Sequence, residues 1–191
     1  MGNLKDERKN SEWYAEARQK ISYNIMLIGF MGAGKSTVSS LLRDLLQMEE
    51  VDTDRLIAKK EGMSIPEIFE KHGEEYFRQC ESDTLLELQK QKRLIVSCGG
   101  GIVLRPENVE HMKKQGKVVL LTATPETTLA RVKNSKERPI LNNNMNTEFI
   151  AELMEKRREK YLAAADIIVA TDDKSIAEIC EELIDRLLEE K

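Results

Sequence analysis

The chain has 191 residues, of which 40% are hydrophobic and 34% charged, with a formal net charge of −4. This suits one α/β domain with a full core. It excludes a membrane span, because no run approaches ~20 apolar residues, and bulk nucleic-acid binding, because no basic stretch offsets the acidic balance. Cys80, Cys98 and Cys180 are scattered with no C-x-x-C, which supports neither a disulfide framework nor a zinc site. His72 and His111 are isolated and read as surface or helix-end residues. The charged start, Met1 to Lys20, holds no signal-peptide core, so a cytoplasmic location is expected.

Residues 1–21 are polar and read as an N-terminal extension, either a loose helix outside the core or disordered chain; Trp13, Tyr14 and Ala17 are its helix-like apolar marks. The domain is expected over 22–191. An apolar strand, Ile25 to Ile28, runs into Gly29-x4-Gly34-Lys35-Ser36, and a helical pattern follows through Val38, Leu41, Leu42, Leu45 and Leu46. Strand, glycine loop and helix together make a phosphate-binding loop. Its glycines let backbone N–H groups curl around phosphate oxygens, and the helix N-terminus adds a positive dipole end. Lys35 serves the outer phosphates and the Ser36 hydroxyl suits magnesium. A nucleoside triphosphate is the expected ligand.

A short strand ending in Asp52-Thr53-Asp54 is expected next, where a parallel sheet gathers ligands. Thr53 or Asp54 also suits as the cap of helix Arg55–Lys60. Ser64 with Glu67 forms a capping box for helix Pro66–His72. Gly73 breaks the chain, and a longer helix spans about 74–91 with an apolar stripe of Phe77, Cys80, Thr84 and Leu88. Arg78 and Glu81 sit beside that stripe, where a lone arginine reads as a solvated residue. Arg93 to Cys98 is a strand buried on both faces, ending in Gly99-Gly100-Gly101, which allows close approach to a ligand or forms a plain turn. A helix over 106–115, a strand over 117–122 and a helix after Pro125 follow. Residues 134–146 are Asn-rich, contain Arg138 and read as a functional loop or a disordered one. A helix over 147–164 carries Arg157, Arg158 and Tyr161 in its last turns; strand 166–170 and helix 174–190 close the chain. Five strands alternating with helices predict a parallel sheet with helices on both faces.

The phosphate loop alone does not separate kinases from GTPases, motors or helicases. No guanine-reading N-K-x-D is present, and the chain is short for a motor. Small size with an arginine-bearing loop points to a small-molecule kinase, whose lid excludes water. The ordered set of motifs is more specific: Gly29-x4-Gly34-Lys35-Ser36, Asp52-Thr53-Asp54, Ser64-Ile65-x-Glu67-Ile68-Phe69, Gly73-Glu74-x2-Phe77-Arg78-x2-Glu81, Gly99-Gly100-Gly101, Arg138-Pro139 and Arg157-x3-Tyr161. Together, over roughly 24–190, they resemble the shikimate kinases.

The resemblance implies a three-layer α/β/α P-loop kinase with a five-stranded parallel sheet, a mobile lid at about 134–146 and shikimate-binding helices within about 54–91. It implies transfer of the γ-phosphoryl of ATP to the 3-hydroxyl of shikimate, with Mg²⁺ as cofactor. Asp54 is implied as base and holder of the acceptor hydroxyls, with Lys35 and Arg138 as the other catalytic residues. Gly32, Ala33, Gly34, Lys35, Ser36, Thr37, Arg131 and Arg138 are implied for ATP, and Ser36 and Asp52 for magnesium. Arg78, Glu81, Gly99, Gly100, Gly101 and Arg157 are implied for shikimate, the two arginines gripping its carboxylate. A monomer without nucleic-acid or membrane partners is the default. The sequence departs from the family at Cys98, where Thr or Ala is common. It also lacks a proline in Arg157-x3-Tyr161, where the adjacent Arg158 competes for the role that spacing gives Arg157. The rivals are another small P-loop kinase, acting on gluconate or a nucleoside monophosphate, and a non-catalytic nucleotide-binding regulator.

Overall fold

A computed structural model describes residues 4–132 and 146–189. The aliphatic runs become five parallel strands: β1 (Asn24–Ile28), β2 (Glu49–Asp52), β3 (Leu94–Ser97), β4 (Gly116–Thr122) and β5 (Ile167–Ala170), in the order β2-β3-β1-β4-β5. Alternation along β1 sorts its side chains to two faces. Ile25 and Leu27 join Val119, Leu121 and Val169 under the helices α1 (Leu4–Lys20), α2 (Lys35–Leu46) and α8 (Ile176–Glu189). Met26 and Ile28 join Val96, Val118 and Leu120 on the other face. There they meet α4 (Ile65–Leu88), α5 (Pro106–Gln115), α6 (Pro125–Val132) and α7 (Thr147–Ala164). Because both faces are covered, the central strands are apolar without a break, as a buried parallel sheet requires. A smaller cluster of Ile57, Ile68 and Phe77 binds α3 (Thr53–Glu61) to α4.

One local detail differs from the expectation. The extended geometry does not persist through Asp52-Thr53-Asp54, because Asp52 itself caps α3, its carboxylate accepting from the Arg55 N–H at 3.0 Å. Thr53 and Asp54 therefore occupy the first turn of the helix instead of extending the strand. The break expected at Gly73 is present: with φ 81° and ψ 173° the glycine is non-helical and divides α4 into two helical segments. Ser64 and Glu67 form the reciprocal capping box.

The core also extends into the N-terminal segment. Ala17 on α1 and Ile21 just beyond it are buried, with Trp13 and Tyr14 packed against the same cluster. Arg93 fastens this segment at the amino ends of the strands: its Nη1 donates to the carbonyls of Arg18 and Ile21, each at 2.8 Å, and its Nη2 to Leu46 at 3.2 Å. Full burial of one Ile side chain contributes about 1.5–3 kcal/mol. A chain beginning at Ser22 is therefore expected to melt about 4–8 °C lower, taking a loss of about 2 kcal/mol in a domain of this size. Its turnover should be unchanged, because no described residue of α1 lines the cavity at the carboxyl ends of the strands. Differential scanning fluorimetry beside an activity assay checks both halves.

Candidate active site

The loops at the carboxyl ends of β1, β2 and β3 meet in a cavity of about 540 Å³, within the usual range for a small-molecule site. Its phosphate-loop wall runs from Gly32 to Thr37. Gly32 and Gly34 stand at φ 76° and 94°, left-handed values that favour glycine. Gly34 is the N-cap of α2 and no side chain caps that helix, so its N-terminal N–H groups and dipole suit an anion. The Lys35 ammonium is folded over the loop, donating to the Gly29 and Phe30 carbonyls at 2.8 and 3.1 Å. Ser36 and Thr37 are exposed in the first turn of α2.

Asp52, Asp54, Gly99 and Gly100 line the same cavity from the β2 and β3 ends. Thr53 ties the two ends together: its hydroxyl accepts from the Gly99 N–H at 2.9 Å and faces the Ser97 carbonyl at 3.4 Å. The absence of a side chain at Gly99 is what lets two carboxylates approach. A Cβ there would stand 2.5 Å from Asp54 Oδ1 and 2.9 Å from Glu81 Oε1. A Cβ on Gly101 would collide with the Arg78 guanidinium. Gly99 and Gly101 thus make the three-glycine run a close-packed floor rather than a plain flexible turn.

Two arginines converge on this floor from different helices. Arg157, half-buried on α7, donates to the Gly100 carbonyl at 3.3 Å, beside the Tyr161 hydroxyl, which donates to the same oxygen at 2.5 Å. Arg158 is exposed and lies 3.7 Å from Glu155, so only Arg157 faces the glycines. Arg78, 7% exposed on α4, donates from Nη1 to Glu81 at 2.7 Å and from Nη2 to Glu74 at 2.8 Å. Burial alone would lower this guanidinium; Glu81 and Glu74 outweigh it and hold Arg78 above its ordinary value. Glu81 is fully buried, and its Oε1 has no hydrogen-bond partner among the described residues. Burial pushes its carboxyl up to about 7, against the pull of Arg78 and with nearby Asp54 adding to the rise. The arginine keeps its charge throughout; the glutamate bears the cost of burial.

On the far side of the phosphate loop, Arg131 spans Gly32 and the end of β5. Its Nη1 donates to the Gly32 carbonyl at 3.1 Å and to Thr171 Oγ1 at 2.9 Å, and its Nη2 to the Thr171 carbonyl at 3.1 Å. Thr171, Ile176 and Ile179 complete that wall. Arg138 and the expected lid lie outside the described residues, apart from Asn146, which caps α7 by accepting from the Phe149 N–H at 2.8 Å. Cys98, the departure noted in the sequence, is buried with its sulfur 3.9 Å from that of Met112, and burial pushes its thiol up.

The sequence profile of the family described as "Shikimate kinase" matches residues 31–188. The chain belongs to the shikimate kinase family. It is 47% identical over 170 residues to a shikimate kinase of Dehalococcoides mccartyi strain 195, covering 89% of this chain and 96% of that one. A shikimate kinase of Caldanaerobacter subterraneus subsp. tengcongensis is 42% identical, with coverages of 84% and 94%. Among solved structures, the Acinetobacter baumannii shikimate kinase in complex with shikimate superposes with a TM-score of 0.84 at 36% identity, over 88% of this chain and 94% of that one.

Sequence reasoning missed three contributors. Thr53 is the tie between β2 and β3, but an isolated threonine between two acids signals only a cap. Thr171 holds Arg131 without belonging to any motif. Glu74 stands inside a quoted motif, yet only the fold reveals that it engages Arg78. The i,i+4 spacing of Glu74 and Arg78 on one helix face was the available signal.

Proposed function

We infer that this enzyme transfers the γ-phosphoryl group of ATP to the 3-hydroxyl of shikimate, giving shikimate 3-phosphate and ADP. The observation that carries this is the joining of a phosphate-loop cavity to a glycine floor on which Asp54 and two arginines converge. A triphosphate site alone would fit many proteins. A carboxylate base beside it and paired cations behind the glycines fit an acceptor that carries both hydroxyls and a carboxylate.

In the proposed mechanism, ATP occupies the cavity with its phosphates on Gly32 to Thr37 and its base lying along Arg131. Lys35 leaves the loop carbonyls for the outer phosphates. Asp54 accepts the proton of the attacking hydroxyl. Arg78 and Arg157 hold the acceptor carboxylate, for which forked guanidinium donors suit better than ammonium groups; Glu81 orients Arg78, and the Gly99 to Gly101 backbone lies along the ring. Arg138 is assigned to the transferring phosphoryl group on the family resemblance. Catalysis then rests on positioning and charge neutralisation.

Among the described residues no group of three or more His, Cys, Asp or Glu side chains gathers to cage a metal. That sparse set fits Mg²⁺, which keeps several waters and binds through one or two protein oxygens and the nucleotide phosphates. Ser36 and Asp52, both on the cavity wall, would hold it, and it would neutralise phosphate charge there. No described helix is long and apolar enough to cross a membrane. The enzyme works as a cytoplasmic monomer with ATP and shikimate as its partners.

ADP release from MgATP is the direct test, with shikimate, gluconate or AMP offered in turn. Turnover with shikimate alone is expected. Turnover with gluconate or AMP instead overturns the acceptor assignment, and tight ATP binding without turnover on any acceptor favours a regulator.

A further inference from the structure

The Arg78 guanidinium, read above as half of the acceptor-carboxylate clamp, already holds two carboxylates. They differ in one physical respect. Glu81, on Nη1, is fully buried and fixed among Arg78, Gly99 and Asp54. Glu74 takes the opposite side: a single oxygen, Oε1, accepts from both Nη2 at 2.8 Å and Nε at 3.2 Å. That pair of donors is the edge with which a guanidinium grips a carboxylate in fork geometry. The Glu74 side chain is 63% exposed. It is the first residue beyond the kink at Gly73, where a Cβ would meet no other atom within 4 Å.

We propose that Glu74 is a stand-in carboxylate, which occupies the free edge of Arg78 in the empty enzyme and is displaced by the carboxylate of the acceptor. The proposal rests on the reading of Arg78 as an acceptor-binding residue. Glu81 cannot leave, because it would abandon a buried charge; Glu74 can, because its own side chain already lies largely in water, which solvates the carboxylate once it swings away. Exchange of one carboxylate for another keeps the guanidinium paired at every stage. It also sets selectivity, since an acceptor lacking a carboxylate would have to remove Glu74 without replacing it. Glu74 thereby tunes acceptor affinity without touching the reacting atoms.

Adjacent Glu75 provides the control. It lies on the same turn, carries the same charge and pairs with Arg105 instead. Steady-state constants for shikimate and for its methyl ester would be measured on the wild type, Glu74→Ala and Glu75→Ala. Glu74→Ala is expected to lower KM for shikimate about two- to fivefold, the range of an ion pair with one solvated partner, with kcat and the KM for ATP unchanged. Glu75→Ala should leave all three constants unchanged, and the ester should be a poor acceptor for every protein. A KM for shikimate that is unchanged or raised in Glu74→Ala overturns the proposal, as does an equal fall in Glu75→Ala. If the wild type uses the ester as well as shikimate, the reading of Arg78 as a carboxylate clamp fails, and that result is distinct from the other two.

Discussion

Replacing Asp54 by Asn is expected to lower kcat for shikimate phosphorylation about 10²- to 10⁴-fold, the range of a positioned general base, while the dissociation constant for ATP changes by less than about twofold. Asn keeps the volume and the hydrogen-bonding oxygen, so the packing against Gly99 and the Thr53 tie should survive. The capacity to take the hydroxyl proton does not. Asp54 lies in the first turn of α3, where the helix dipole favours a negative side chain, and on the wall of the nucleotide cavity. Because its carboxylate also holds the acceptor, KM for shikimate should rise alongside the fall in kcat. Single-turnover kinetics with isothermal titration of ATP would separate these terms. A kcat within tenfold of the wild type would remove Asp54 from the base role and leave it as a positioning group.

The sheet and its helices were legible because the aliphatic runs at 25–28, 94–96 and 118–121 are strands buried on both faces, and these carry the strongest local pattern. The phosphate loop was legible for a different reason, since its glycine spacing has few uses outside phosphate binding. The acceptor side was not legible from local pattern. Arg78 lies in the early turns of a helix segment, where its charge gains nothing from the dipole, and only the family resemblance singled it out. What makes it functional is the fold, which closes α4 over Gly101 and sets Glu81 against Gly99. Arg157 shows the same limit, because in sequence it is one of two adjacent arginines, and helix phase decides that it faces Gly100 while Arg158 faces water. The start of α3 was misplaced for a local reason: Asp52, Thr53 and Asp54 are all good caps, and the register of β2 beside β3 selects the first.

Arg78→Met is expected to damage stability and acceptor binding together, and pH separates the two. Removing one partner of a buried ion pair leaves an uncompensated charge, at a cost of about 3–5 kcal/mol. In the wild type the folded-state value for Glu81, about 7, lies above the ordinary 4.5. Between these values the native state binds the additional proton, so the contribution of Glu81 is fully present below pH 4.5 and is lost as pH rises through 7. Without the Arg78 charge the carboxyl is pushed higher still, and the loss continues into the alkaline range. The variant should therefore be much closer to wild-type stability at pH 6 than at pH 8.5 in urea titrations. Arg78→Met combined with Glu81→Leu removes both charges and should recover most of the stability, because apolar replacement of a whole buried pair is often neutral or favourable. It cannot recover the clamp. KM for shikimate should stay raised about 10- to 100-fold in the double variant, as expected for losing hydrogen bonds to a charged group, with ATP affinity intact. A destabilisation independent of pH would show that Glu81 is not the charge left exposed by the substitution. A double variant with normal shikimate KM would remove Arg78 from the acceptor site.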